Sequence, residues 1–251
     1  MTPLPAAFLE RPIAHRAYHD LSRGRPENSL EAIGAAVEAG YGIEIDLQLS
    51  GDGQAMVFHD YDLERLTLAV GAVKDRSAAD LSKIVLRGGT TGVPTLREVL
   101  KLVDGRVPLL IEVKDQDGAL GSNVGPLEAA TVAALTGYRG PVALMSFNPH
   151  AMVALEQLAP DLPRGLTTCA YTEDDFPELS HSHRERLRGI PDFDRVGASF
   201  ISHHWNDLDR PRVAELKAAG HPVLCWTIRT PEQEATARAV ADNITFEGYI
   251  A

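Results

Sequence analysis

Short apolar runs alternate with amphipathic helical stretches through most of the chain. PIAH (12–15) reads as a brief strand. ENSLEAIGAAVEAG follows at helical spacing, with Asn28 or Ser29 as its cap and Gly40 as its stop. GIEIDLQLS (42–50) and QAMVFHD (54–60) are extended runs. TLREVLKLVDG (95–105) predicts a helix and VPLLIEVK (107–114) a strand. The same unit then recurs. Helices near 124–138, 149–158, 176–188, 211–220 and 231–241 precede PVALMSF, RGLTTCA, GASFIS, PVLCWTI and NITF. Residues 61–93 show little periodicity and are expected to be irregular.

Strands separated by helices imply βαβ units and a parallel sheet. The segment SGDGQ (50–54) is the exception, because a parallel crossover needs a dozen or more residues. The run 54–58 therefore returns antiparallel to 43–49 as a hairpin. Setting it aside leaves eight parallel strands, at 12–15, 42–47, 108–113, 141–146, 165–169, 197–202, 222–227 and 243–246. Eight such strands with seven intervening helices in 251 residues match an α/β TIM barrel. The expectation is one barrel domain over 1–251, with a β-hairpin after strand 2, a small insertion at about 61–93, and an eighth helix absent or very short. A doubly wound sheet is the alternative.

Composition narrows the partners. The net charge of −11 argues against a nucleic-acid surface, and a small anionic substrate would need a local cation or metal. MTPLPAAFLERPIAHR does not read as a secretory signal, and no run reaches the length of a transmembrane helix. Cys169 and Cys225 lack metal-ligand spacing and read as buried free thiols of a cytoplasmic protein.

In a barrel the chemistry gathers at the C-terminal ends of the strands. His15 and Arg16, Glu44 and Asp46, Glu112 and Lys114, and Trp226 all fall there. Glu44 and Asp46 share one face of their strand, opposite Ile43, Ile45 and Leu47. The returning arm brings His59 toward them. Three carboxylates without a thiolate form a hard oxygen site suited to Mg²⁺ or Ca²⁺. With Arg16 and Lys114 for an anion, and two histidines as acid and base, the set points to phosphodiester cleavage. The plainer readings are a structural strand-end histidine, a Glu112–Lys114 ion pair and a core Trp226. His203 and His204 are adjacent in a strand, so at most one faces the site. His19 and Asp20 read as surface, and Glu27 and Asn28 as organisers of the first loop. RGGTTG (87–92) lacks the setting of a phosphate loop and reads as flexible, or as a lid.

The run AHRAYHDLSRGRPENSLEA, followed by GIEIDLQLSGDGQAMVFHDYDLERLT, VPTLREVL and LLIEVK, resembles the glycerophosphodiester phosphodiesterase family, with weaker likeness at LCWTI and NITFEG. The resemblance covers nearly the whole chain. It implies a TIM barrel with an insertion after HD. It also implies His15 and His59 as the acid–base pair, and Glu44, Asp46 and Glu112 as ligands of a divalent cation. Arg16 and Lys114 would hold phosphate and Trp226 the alcohol part, with sn-glycerol 3-phosphate and an alcohol as products. A small-molecule glycerophosphodiester is the implied partner, with no nucleic acid, no stable membrane association, and a homodimer left open. Three positions depart from the pattern: Ala17 stands for Gly, Arg229 for Asn, and Phe246 for Asp. Arg229 at the barrel rim is expected to favour a more anionic substrate. The rival functions are a lysophospholipase D-like lipid phosphodiesterase and a barrel that binds phosphodiesters without cleaving them.

Overall fold

The computed structural model describes residues 1–251. Its strands are β1 (Ile13–Ala14), β2 (Gly42–Leu49), β3 (Ala55–Val57), β4 (Leu109–Val113), β5 (Val142–Ser146), β6 (Arg164–Thr168), β7 (Phe200–His204), β8 (Val223–Ile228) and β9 (Asn243–Phe246). β3 runs antiparallel to β2, and the other eight pair in parallel. β1 pairs with both β2 and β9, which closes the barrel. The SGDGQ turn works as its length requires. Gly53 takes φ +78°, and a Cβ on Gly51 would lie 2.8 Å from the Lys74 carbonyl oxygen.

Helices α1 (Ala7–Glu10), α2 (Leu30–Ala39), α3 (Ala78–Leu81), α4 (Leu96–Val103), α5 (Pro126–Leu135), α6 (Pro149–Leu158), α7 (His181–Arg188), α8 (Pro211–Ala218) and α9 (Pro231–Ala237) complete the chain. All but α1 and α3 connect successive parallel strands. Ser29, rather than Asn28, caps α2: its side chain accepts from the Ala32 N–H, and Gly40 ends the helix in the left-handed region. No helix follows β9.

Strand alternation sorts the side chains into two layers. Ile43, Ile45, Leu47, Leu109, Ile111 and Val113 point outward and form the main core with the helices. Ile13, Leu110, Ala143, Met145, Phe200 and Leu224 form a separate inner cluster with Leu4 and Phe8. On β4 the inner-cluster Leu110 precedes Glu112, so the apolar plug fills the N-terminal end of the barrel and the polar layer faces its C-terminal mouth. Asn243 Nδ2 donates to the carbonyls of Phe8 and Arg11, both at 2.7 Å, and anchors the plugging segment.

Three features differ from the sequence reading. α1 is unforeseen, because a single helical turn carries no measurable periodicity. β7 begins at Phe200 rather than 197. Gly197 at φ +59° and the Ala198 N–H bond to the Phe193 carbonyl wrap the preceding residues into a turn. The insertion is more ordered than expected, and Leu63, Val73, Ala78, Leu81, Leu86 and Val93 pack with Met56 and Phe58 into a small core. RGGTTG is pinned to α2 by Glu31 and lines neither the site nor the cleft beside it, so it is not a lid.

Candidate active site

The β2–β4 register sets Asp46 beside Glu112, and Glu44 lies on the same face two residues earlier. One oxygen from each of Glu44, Asp46 and Glu112 falls within 4.8 Å of the others. All three residues are buried. Burial, then the neighbouring charges of Asp46 and Glu112, pushes the Glu44 carboxyl well up. Burial also works to raise Asp46, but the charges of His59, Lys114 and Arg16 outweigh it and hold Asp46 below the ordinary range. Lys114 Nζ lies 2.9 Å from Glu112, 3.5 Å from Asp46 and 3.1 Å from His59 Nε2. Despite burial, the Glu112 and Asp46 charges keep its ammonium protonated.

The first loop closes over the other side. Arg16 at φ +50° and Ala17 at φ +66° both adopt left-handed backbone. This curl aims the Arg16 N–H at Glu44 Oε2, at 2.8 Å, and lets the Arg16 carbonyl accept from the Asn28 N–H at 2.8 Å. Ala17 therefore occupies, at a steric cost, a conformation that glycine adopts freely. Asn28 Nδ2 donates to Asp46 Oδ2 at 3.0 Å. The Arg16 guanidinium donates to Glu27 at 2.8 Å and lies 3.6 Å from Asp46.

Both histidines are held through Nδ1. His15 Nδ1 lies 2.6 Å from Glu247 Oε2, and His59 Nδ1 lies 2.7 Å from Asp60 Oδ1. Each carboxylate makes Nδ1 the protonated nitrogen and leaves Nε2 as the exchangeable one. For His59 that nitrogen accepts from Lys114. Asp60 is steadied in turn by Arg65, which also donates to Glu27, and Gln48 Nε2 donates to the His59 carbonyl at 3.0 Å. The returning arm thus delivers a braced imidazole. His15, Arg16, Glu44, Asp46, His59, Glu112, Lys114 and Trp226 all line one cavity at the barrel mouth.

This cavity continues into a cleft of about 730 Å³ that shares His59, Glu112, Lys114, Phe147 and Trp226 with it. Trp226 donates from Nε1 to the Ser202 carbonyl at 3.0 Å and packs edge-on against Phe147 and His204. His204 faces the cleft, whereas His203 is buried between Thr168 and Asp207. Arg229 is not an unpaired rim charge. It is bonded to Glu247 at 2.8 Å, which offsets the charge on which the expected anionic preference rests.

The sequence reading brought together the residues that share the cavity but passed over Glu247 and Asp60. Asp60 was visible in the HD pair. Glu247 had only one signal, an acidic residue just beyond the last strand. His19, expected at the surface, lies 3.4 Å from Glu247.

Comparison with known proteins shows the family and the fold. The profile of the Glycerophosphoryl diester phosphodiesterase family matches residues 15–243. A Caldanaerobacter subterraneus glycerophosphodiester phosphodiesterase is 32% identical over 164 residues, covering 61% of this chain and 65% of that one. A Bacillus subtilis glycerophosphodiester phosphodiesterase is 32% identical over 145 residues, 48% of this chain and 47% of the relative. The structure of an Oleispira antarctica phosphodiesterase, in complex with the product sn-glycerol-3-phosphate, superimposes with a TM-score of 0.77 at 26% identity, over 96% of this chain and 94% of that one.

Proposed function

The chain belongs to the glycerophosphoryl diester phosphodiesterase family, and from that premise we propose a route by which its own residues cleave a glycerophosphodiester to sn-glycerol 3-phosphate and an alcohol. The observation that carries the route is the matched bracing of two imidazoles. His15 and His59 each rest Nδ1 on a carboxylate, and both line the cavity that holds Glu44, Asp46 and Glu112.

The three carboxylates fit a divalent cation: they offer hard oxygen donors within reach of one another, and the raised Glu44 pKa reflects the cost of burying and crowding their charges without one. Mg²⁺ or Ca²⁺ is the reading their oxygen donors support. When bound, the cation neutralises phosphate charge and polarises the phosphorus centre. Arg16 and Lys114 bind the remaining phosphoryl oxygens. One histidine takes a proton from the attacking hydroxyl at Nε2, and the other gives a proton from Nε2 to the leaving alkoxide. Trp226 and Phe147 shape the cleft wall for the alcohol.

The test is paired substitution. His15→Ala and His59→Ala are each expected to lose about 10²–10⁴-fold in kcat. Their circular dichroism and Tm should stay close to the parent, since neither side chain belongs to an apolar cluster. A His59→Ala protein with parental kcat would refute the role of the returning arm.

A further inference from the structure

We infer that Glu247, clamped by Arg229, is the positioning residue that fixes the tautomer and orientation of His15. The inference rests on the proposed role of His15 and adds the residues through which the fold sets it.

Strand alternation brings Glu247 to the site. Thr245 lines the cavity, and the Glu247 N–H bond to the Ile228 carbonyl at 2.9 Å continues the extended pairing past β9, so the residue two positions on returns to the same face. Phe246, between them, points outward into a cluster with Tyr18, Tyr41 and Tyr249. The place where the resemblance expects an aspartate has thus been given to packing, and a carboxylate enters one residue later.

The two oxygens of Glu247 divide their work. Oε2 meets His15 Nδ1 at 2.6 Å, while Oε1 accepts from Arg229 Nε at 2.8 Å, with Nη2 at the same distance. The Arg229 main chain is anchored in turn, because its backbone N–H donates to Gln233 Oε1 at 2.7 Å on α9. A carboxylate with one oxygen held by a planar guanidinium has little freedom to rotate, so the remaining oxygen presents a fixed acceptor. An acceptor at Nδ1 keeps the proton there and the Nε2 lone pair free. Whenever His15 carries a proton at Nε2 as well, the same oxygen stabilises the imidazolium. The departures at Arg229 and Phe246 therefore have a joint consequence at one histidine. His19 Nε2 approaches Oε2 only at 3.4 Å, a weaker contact than the His15 bond.

The test combines kinetics of the cation-loaded enzyme on glycerophosphocholine with ¹⁵N NMR of its histidines. Glu247→Gln preserves side-chain volume but loses the anionic acceptor. Its kcat is expected to fall about 10²-fold with KM changed by less than about threefold. Arg229→Ala should lose about tenfold in kcat through a loosened Glu247. In Glu247→Ala, added formate should restore part of kcat. The His15 spectrum should show an Nδ1–H tautomer in the parent and a shift toward Nε2–H in Glu247→Gln.

Parental kcat in Glu247→Gln, or a fall expressed only in KM, would overturn the inference. So would a His15 tautomer unchanged by the substitution, or cation-dependent signals showing His15, His19 and Glu247 ligating a metal. If the parent cleaves no glycerophosphodiester, the proposed function fails, while the tautomer measurement still judges the positioning.

Discussion

Glu44 and Asp46 stand two positions apart on one strand face, yet their carboxyls are driven in opposite directions. Asp46 has Lys114, Arg16 and the His59 imidazole around it, and all three favour its charge. Glu44 has burial and two anionic neighbours working against its charge. Its folded-state pKa is raised, so the folded protein holds a proton that the unfolded chain has already released. Stability of the cation-free protein is therefore expected to fall as pH rises above the ordinary carboxylate value of 4.5 toward the folded value. Glu44→Gln should flatten that decline and shrink the rise in Tm on adding Mg²⁺ or Ca²⁺. Thermal unfolding across a pH series, with chelator and with cation, measures both. A variant that keeps the full cation-induced shift would remove Glu44 from the ligand set. The carboxylates, histidines and cations were legible as residues because strand parity fixes which face each occupies. Glu247 was not, because its role depends on His15 after β1 and Arg229 after β8, which reach it only when β9 pairs with both strands.

The hairpin β2–β3 was legible because a turn of that length excludes a parallel crossover. Short elements were not. α1 and the pieces of the insertion depend on tertiary packing, which a single helical turn does not announce. Phe8 is the clearest case, fully buried in the plug from a four-residue helix. Phe8→Ala is expected to cost about 3–5 kcal/mol in urea unfolding, with kcat of the folded protein unchanged. The insertion offers a second test. Glu31 accepts from the N–H groups of Thr90 and Thr91 at 2.9 and 3.0 Å, and from their hydroxyls at 2.8 and 2.7 Å. Burial opposes its charge, but these bonds pull its pKa down to about 2. The depressed value means that the anchor is fully present above pH 4.5 and is lost as pH falls toward about 2. Protection of the Thr90 and Thr91 amides, measured against their intrinsic exchange rates, should fall across that window, and be low at all pH values in Glu31→Ala. Protection unchanged in Glu31→Ala would show that the loop is held by other contacts.

Across the molecule, the net charge of −11 is carried into the cleft beside the site. Asp115, Asp175 and Glu178 line the cleft without a cationic partner, whereas its one lysine, Lys114, is engaged by Glu112 and Asp46. With Arg229 neutralised by Glu247, substrates with a cationic alcohol are expected to exceed those with an anionic alcohol by about tenfold in kcat/KM. No helix is long and apolar enough to cross a membrane. The barrel itself follows from strand count and spacing, and its polarity, with the plug at one end and charge at the other, follows from where apolar residues give way to acids along β4. The measurement that bears most directly on the whole account is release of glycerol 3-phosphate from a panel of glycerophosphodiesters, with chelator and with Mg²⁺ or Ca²⁺ restored. The expected result is turnover that chelation abolishes, that cation restores, and that His15→Ala and His59→Ala both lack. Binding of the diesters without release of glycerol 3-phosphate, or full turnover in excess chelator, would contradict it.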